Sequence, residues 1–267
     1  MAEPQPVLGA NGWGQNPDTD YGPGYTGGDI TRPQNNFETR FEYRSSGTTT
    51  RSEEQALTLR WDGAIKLDSS WKFGWVTELP LAEQTTDPTA TNSGSQQLGN
   101  GDLVLQGALS RPIDQRWAYG FGTRLVAPTA TDQGLGAGQW QLLPGFGVRY
   151  SFLELGDDTF AVPKMRYDFG FAAEPSRRVR NEAQFAPTFN IGLPDRWFVT
   201  LYPSYDIRIN YGQAATGQTG RLFLPFNASV GRSLTDKLIA SVEVGVPIVN
   251  DYPVYNFKIE FRTAYQF

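Results

Sequence analysis

From Phe37 onward the chain alternates. Phe37, Thr39, Phe41 and Tyr43 fall on one parity and Glu38, Arg40, Glu42 and Arg44 on the other. A strand puts those two sets on opposite faces, because successive side chains point to opposite sides of the backbone. The period of two returns in Leu57, Leu59, Trp61, Gly63, Ile65 and Leu67, set against Thr58, Arg60, Asp62, Ala64 and Lys66. Ten further runs follow, with apolar parities beginning at Trp71, Leu103, Trp117, Trp140, Met165, Phe185, Trp197, Leu222, Leu238 and Tyr255. The run from Trp197 carries Val199, Leu201, Tyr205, Ile207 and Ile209 on its apolar face. The run from Met165 is preceded by Phe160 and Val162 on the other parity, with Pro163 as the mark of a bulge.

The connections alternate too. Tight turns fall at Asp68-Ser69-Ser70, Arg111 to Gln115, Leu153 to Asp158, Pro194 to Arg196 and Leu234 to Asp236; longer polar loops fall at 45–54, 81–100, 129–138, 174–183 and 212–220, and a short last one at Asn250 to Val254. A soluble β-sandwich or propeller also alternates. Here, however, the strands run to about 10 to 14 residues against a usual soluble mode of about 5 to 6, their number is even, short and long connections take turns, and every run has one parity of aromatic and aliphatic residues. These features predict an all-β fold, a single transmembrane antiparallel β-barrel of 12 strands in the bacterial outer membrane, with short periplasmic turns and longer extracellular loops. The barrel occupies 36–267. With both termini periplasmic, Trp71, Trp117, Trp197 and Phe267 fall at the inner interface and Trp140, Tyr211 and Tyr255 at the outer one, while Trp61 and Trp75 face lipid at greater depth.

Composition changes the picture in two ways. A mean hydropathy of −0.43 and the lack of any run of about 18 apolar residues exclude a spanning helix but leave the barrel open, since alternation averages out. The chain has no histidine and no cysteine, which removes disulfides, zinc fingers and every histidine-based nucleophilic mechanism. Outer-membrane phospholipases, deacylases and omptins rely on a histidine base, so no enzyme is expected. A net charge of −5 argues against nucleic acid. Gly134, Gly136 and Gly138 lack a following helix to present a phosphate site, and neither Asp18 with Asp20 nor Asp157 with Asp158 forms a full calcium loop; no metal and no cofactor are expected. Met1-Ala2-Glu3-Pro4 reads as the start of a mature chain rather than as a secretion leader.

With the apolar parity toward lipid, the other faces the lumen. Its basic residues include Arg40, Arg44, Arg60, Lys66, Lys72, Arg116, Arg124, Arg149, Lys164, Arg166, Arg208, Arg221, Lys258 and Arg262, and they outnumber the acids Glu38, Glu42, Asp62, Glu78, Asp102, Asp168, Asp206, Glu243 and Glu260. Closure sets Lys258, Glu260 and Arg262 alongside Glu38, Arg40 and Glu42, an expected ladder of interleaved opposite charge. Two uses compete: a structural network that fills the interior, and a positive constriction at Arg124, Arg149, Arg166, Arg208 and Arg221 that selects anions. Gly120, Gly122, Gly145, Gly147 and Gly170 keep one wall low. Residues 1–35, rich in glycine and proline, form an extension that is either a disordered tail or a lumen plug anchored by Trp13, Tyr21 and Tyr25.

The closing run Tyr255 to Phe267, with Tyr265 two positions before the final Phe267, resembles the terminal strand of Gram-negative outer-membrane proteins. That resemblance implies recognition by the barrel-assembly machinery and a setting in outer-membrane lipid and lipopolysaccharide, with Arg177-Arg178-Val179-Arg180 in an outer loop. Leu98-Gly99-Asn100-Gly101-Asp102-Leu103, Val126-Ala127-Pro128-Thr129-Ala130-Thr131-Asp132 and Gly138-Gln139-Trp140 through Pro144-Gly145-Phe146-Gly147 resemble the outer-membrane channels associated with the phenol meta-degradation pathway, with Thr-Ala-Thr-Asp where that family has Thr-Gly-Asp. The resemblance implies passive uptake of small hydrophobic or aromatic compounds, for which inward Val76, Val104, Leu143, Phe198, Tyr202, Phe223 and Ile239 would line the route. An anion-preferring porin for organic acids or acidic oligosaccharides, and a sealed structural or adhesive barrel, are the alternatives.

Overall fold

The computed structural model describes residues 29–46, 52–86, 95–156, 158–175, 177–215 and 217–267. Its strands are β1 (Asn36–Ser46), β2 (Ser52–Lys66), β3 (Lys72–Thr86), β4 (Ser95–Asn100), β5 (Leu103–Pro112), β6 (Trp117–Ala127), β7 (Trp140–Ser151), β8 (Phe160–Phe171), β9 (Asn181–Gly192), β10 (Trp197–Leu201), β11 (Ile207–Asn210), β12 (Leu222–Ser233), β13 (Leu238–Asn250) and β14 (Phe257–Gln266). All pairings are antiparallel, each strand joins its neighbours in sequence except at β4–β5 and β10–β11, and β1 pairs β14. The result is a closed 12-strand barrel with 2 extra strands. The extras arise because β4 and β5 follow one another along β3, and because β10 and β11 together bridge β9 to β12. Closure through β1 and β14 leaves the 12-strand wall no free edge, the condition for a sheet to cross lipid.

The parity assignment holds along the wall. Phe37, Phe41, Trp61, Leu105, Trp117, Phe121, Trp140, Phe146, Phe169, Trp197, Phe226, Val244 and Phe261 are exposed outward, while Glu38, Arg60, Glu78, Arg149, Asp168, Glu243, Lys258 and Glu260 are buried inside. At the short-turn end the aromatics meet in a chain: Trp117 lies 4.7 Å from Tyr150, Tyr150 4.8 Å from Phe152 and Phe152 5.7 Å from Phe189. At the long-loop end Tyr167 stacks on Tyr211. Trp75 lies across Gly63, where any side chain would strike the indole.

Four expectations about the strands are corrected. The loops at 45–54 and 81–100 are shorter than the pattern implies, because β1, β2, β3 and β4 run into them; beyond the apolar belt both faces of a strand are wet, so the alternation that marks it fades. Pro163 makes no bulge: β8 keeps one register with β9 from Phe160 to Phe169, and Phe160 and Val162 simply point inward. The run from Trp197 is broken. Leu201 pairs Phe189 and Ile207 pairs Phe185, so Tyr202 to Asp206 must fit opposite Ala186 to Thr188, and the surplus chain folds out of the sheet. Pro187 and Pro203 bring no ladder donor to this stretch, and Tyr202 turns it with a φ of 49°. Tyr205 is thereby directed into the lumen, whereas Tyr202 faces outward against Phe226. Tyr255 also leaves the outer girdle: it precedes β14 and is buried against Phe223 at 4.9 Å.

Candidate functional site in the lumen

Closure of the barrel gathers the inward charges into two unlike walls. On the β13–β14–β1–β2–β3 side, carboxylates and cations neutralise one another. Arg60 forks onto Asp62 at 2.7 and 2.9 Å and reaches Glu78 at 3.0 Å; Glu78 also accepts from Arg124 and lies 3.6 Å from Arg40. Arg40 binds Glu38 at 2.8 Å and approaches Glu260 at 3.7 Å. Arg44 donates to Glu42 at 2.9 Å, and Arg262 binds Glu260 and, at 2.9 Å, Glu243. Lys258 spans Asp206 at 2.5 Å and Glu243 at 2.6 Å.

The expected ladder of opposite charges across the closure is not what the register makes. Arg40 faces Arg262, Glu42 faces Glu260 and Arg44 faces Lys258, like opposite like, an arrangement that is unfavourable taken alone. Attraction runs instead along each strand, between residues two apart, and diagonally. That solution needs a third strand, and β13 supplies it through Glu243.

The facing wall, β7 to β11, is different. Arg166 donates to Gln184 Oε1 at 2.6 Å, lies 4.3 Å over the Tyr205 ring and makes no ion pair with a carboxylate among the described residues. Lys164 lies 5.2 Å from the same ring. Arg149 lies 3.5 Å over Phe160. Higher up, Arg208 stands 3.8 Å from Asp206 and 3.9 Å from Glu182, and its Nε has no partner. Glu182 takes Arg178 at 3.1 Å and the Tyr252 hydroxyl. Arg221 does not join this face: it is exposed at the outer rim, 5.8 Å over Tyr211.

The apolar inward residues gather in two separate clusters, Val104 with Val126 and Leu143, and Phe223 with Tyr252 and Tyr255. Val76, Phe198 and Ile239 are buried elsewhere on the inner face.

Residues 29–35 complete the site. They run from β1 across the inner end of the lumen, and each step is fixed. Asn35 Oδ1 accepts from Ala64 N at 2.7 Å, and Gln34 Oε1 accepts from Gln266 at 2.8 Å. Pro33 sits over Gly74 and Ile30 over Gly120 and Gly147; a Cβ on Gly120 would lie 2.2 Å from the Ile30 carbonyl oxygen. Asp29 Oδ1 takes the Thr31 amide and hydroxyl, an Asx turn, and its Oδ2 accepts from Arg149 at 2.7 Å. Between this segment and the wall remains a cavity of about 50 Å³. Gly122 and Gly145 serve a different purpose, as side chains there would strike the backbone of β5 and β8. Trp13, Tyr21 and Tyr25 lie outside the described residues.

A closed antiparallel barrel, apolar and aromatic outside, charged inside, with both ends of its wall at the short-turn end, is an outer-membrane β-barrel. No protein-family model matches the chain, and neither does any curated protein. Among solved structures it is similar to an outer-membrane channel of Pseudomonas putida F1, at 17% identity and a TM-score of 0.70 over 90% of this chain and 98% of that one. It is also similar to the transport unit of the Escherichia coli autotransporter AIDA-I, at 10% identity and a TM-score of 0.54 over 90% of this chain and 93% of the other, and to the β-domain of the Bordetella autotransporter BrkA, at 14% identity and a TM-score of 0.53 over 88% and 100%. These likenesses establish the fold.

Proposed function

We propose that the protein is a passive outer-membrane channel for small organic anions, aromatic carboxylates in particular, with no enzymatic step and with its periplasmic mouth narrowed by the segment that precedes β1. The observation that carries this reading is the asymmetry of the lumen. A solute crossing between the walls meets one side already neutralised and, on the other, Arg166 held against the Tyr205 ring. A carboxylate takes hydrogen bonds from guanidinium and ammonium donors, and an aromatic solute has the face of Tyr205 to pack on. The resemblance of the glycine-rich strands to channels for aromatic compounds points the same way. A continuous hydrophobic route has less support, because the inward apolar side chains form separate patches.

Reversal potential in planar bilayers under a chloride gradient tests the reading. The expected outcome is anion selectivity that falls in Arg166→Gln. Cation selectivity in the folded full chain would overturn it. Liposomes loaded with the protein should admit benzoate faster than benzylamine, and equal rates would count against the substrate class.

A further inference from the structure

Asp29 does more than end a turn. Its carboxylate lies where an anion crossing the lumen would be attracted: Oδ2 receives Arg149 at 2.7 Å, Lys164 is also on this inner face, and the Arg149 guanidinium is fixed from beneath by the Phe160 ring at 3.5 Å and from the side by Ser151 Oγ at 3.3 Å. Arg149 is 5% exposed and Lys164 3%. The cations belong to the rigid wall, whereas the carboxylate arrives on a segment that pairs with no strand.

We propose that Arg149 is an anion-binding site that Asp29 fills as an internal occupant, and that an organic carboxylate entering the lumen competes with Asp29 and so releases residues 29–33 from the wall. The inference rests on the organic-anion reading above. The chemistry of the exchange is balanced: one carboxylate leaves the guanidinium and another takes its place, with no proton or covalent change. Release has a defined structural consequence. Among the described residues Asp29 lies farthest from β1, and Ile30 and Thr31 sit beyond the Pro33 contact with Gly74, so losing the Arg149 bond loosens the stretch lying across β6 and β7 while Gln34 and Asn35 stay tied to β14 and β2. Solute would thereby open its own exit.

Competition makes a prediction that a purely structural ion pair does not. Removing the internal occupant should strengthen binding of an external one. Benzoate titrated calorimetrically into the detergent-solubilised full chain is expected to bind Asp29→Asn about tenfold more tightly than wild type, a typical coupling between two ligands, a gain that is lost in the Asp29→Asn/Arg149→Gln double variant, where only the site at Arg166 and Tyr205 remains. Gly120→Val, which evicts Ile30 sterically and leaves both charges in place, should tighten benzoate binding as well. The thiol of Pro33→Cys, in a chain that otherwise has none, should react faster with a maleimide as benzoate rises; benzylamine should have no effect. Equal affinity in wild type, Asp29→Asn and Gly120→Val, with each shown to be folded by heat-modifiable migration, would overturn the proposal, as would an Asp29→Asn gain that survives Arg149→Gln. These readouts do not depend on current, so a wild-type channel without anion selectivity would sink the transport reading while leaving the exchange at Arg149 separately measured.

Discussion

Glu78 shows how a single residue organises this lumen. Glu78 is 3% exposed and serves Arg60, Arg124 and Arg40 together, so three guanidinium groups from β1, β2 and β6 share one acceptor, which is the one carboxylate that Arg124 meets among the described residues. Removing the charge of one partner in a buried network costs about 3–5 kcal/mol, because the cations left behind are desolvated and uncompensated. Glu78→Gln is therefore expected to lower stability by about 3 kcal/mol on this scale, measured by urea unfolding in lipid bilayers; a change below about 1 kcal/mol, the scale of a surface pair, would show that lumen water screens the cluster. Glu78 and its cations were legible as inward charges from parity. Which acid served which cation was not, because partner choice runs between strands distant in sequence. Tyr205 was misassigned for a related reason: its parity is correct for an unbroken strand, and only the surplus of residues opposite β9 turns it inward.

Among the elements, the β7–β8 seam stands apart. The ladder there skips two places, between the Leu142–Phe169 and Gly145–Arg166 pairs and between the Gly147–Lys164 and Tyr150–Ala161 pairs. Pro144 lies in the first gap and Pro163 in the second, and neither can donate. On the β9 side Pro163 faces Pro187 in unbroken register, which places its missing donor on the β7 side. An apolar hollow of about 660 Å³ opens on the barrel's outer face beside the first gap, walled by Phe73, Leu109, Phe121, Phe146, Met165 and Tyr167. In Pro163→Ala the new amide is expected to join the ladder and to exchange its hydrogen as slowly as its β8 neighbours; fast exchange would show a seam that stays open. Total stability is a poorer readout, since a restored hydrogen bond of about 1 kcal/mol is offset by about 0.4–1 kcal/mol from a freer unfolded chain. The strands themselves were readable from alternation. Their ends were not, and neither was the split of one strand into β10 and β11, because burial by lipid imposes a pattern only within the apolar belt.

At the scale of the molecule, two solvents hold the barrel: lipid against its outer face and a charged lumen within. A cation on the outer face therefore costs most near mid-height. Phe146 is half exposed on β7, and Phe146→Arg is expected to destabilise the barrel by about 2–4 kcal/mol in a bilayer, while the same change at Trp117, at the short-turn end, should cost about 0–1 kcal/mol beyond the lost ring contact with Tyr150. Equal penalties would mean that the aromatic band does not mark the membrane boundary. The segment 29–35 belongs to this scale as well, because it ties β1, β2, β3, β6, β7 and β14 together across the inner mouth.

The sequence by itself determined the wall: a period of two sustained over long runs, with lipid-compatible side chains on one parity, admits little but a closed antiparallel barrel, and the alternating loop lengths orient it. The absence of histidine likewise excludes imidazole chemistry. What only the tertiary structure decided is how the lumen is furnished. Register set like charges opposite each other, a strand break carried Tyr205 to Arg166, and a short Asp-Ile-Thr turn brought Asp29 to a guanidinium on β7. Local pattern encodes which face a side chain takes, since that is fixed by its own backbone; it does not encode which distant strand, or which part of the chain before the barrel, meets that side chain in the interior.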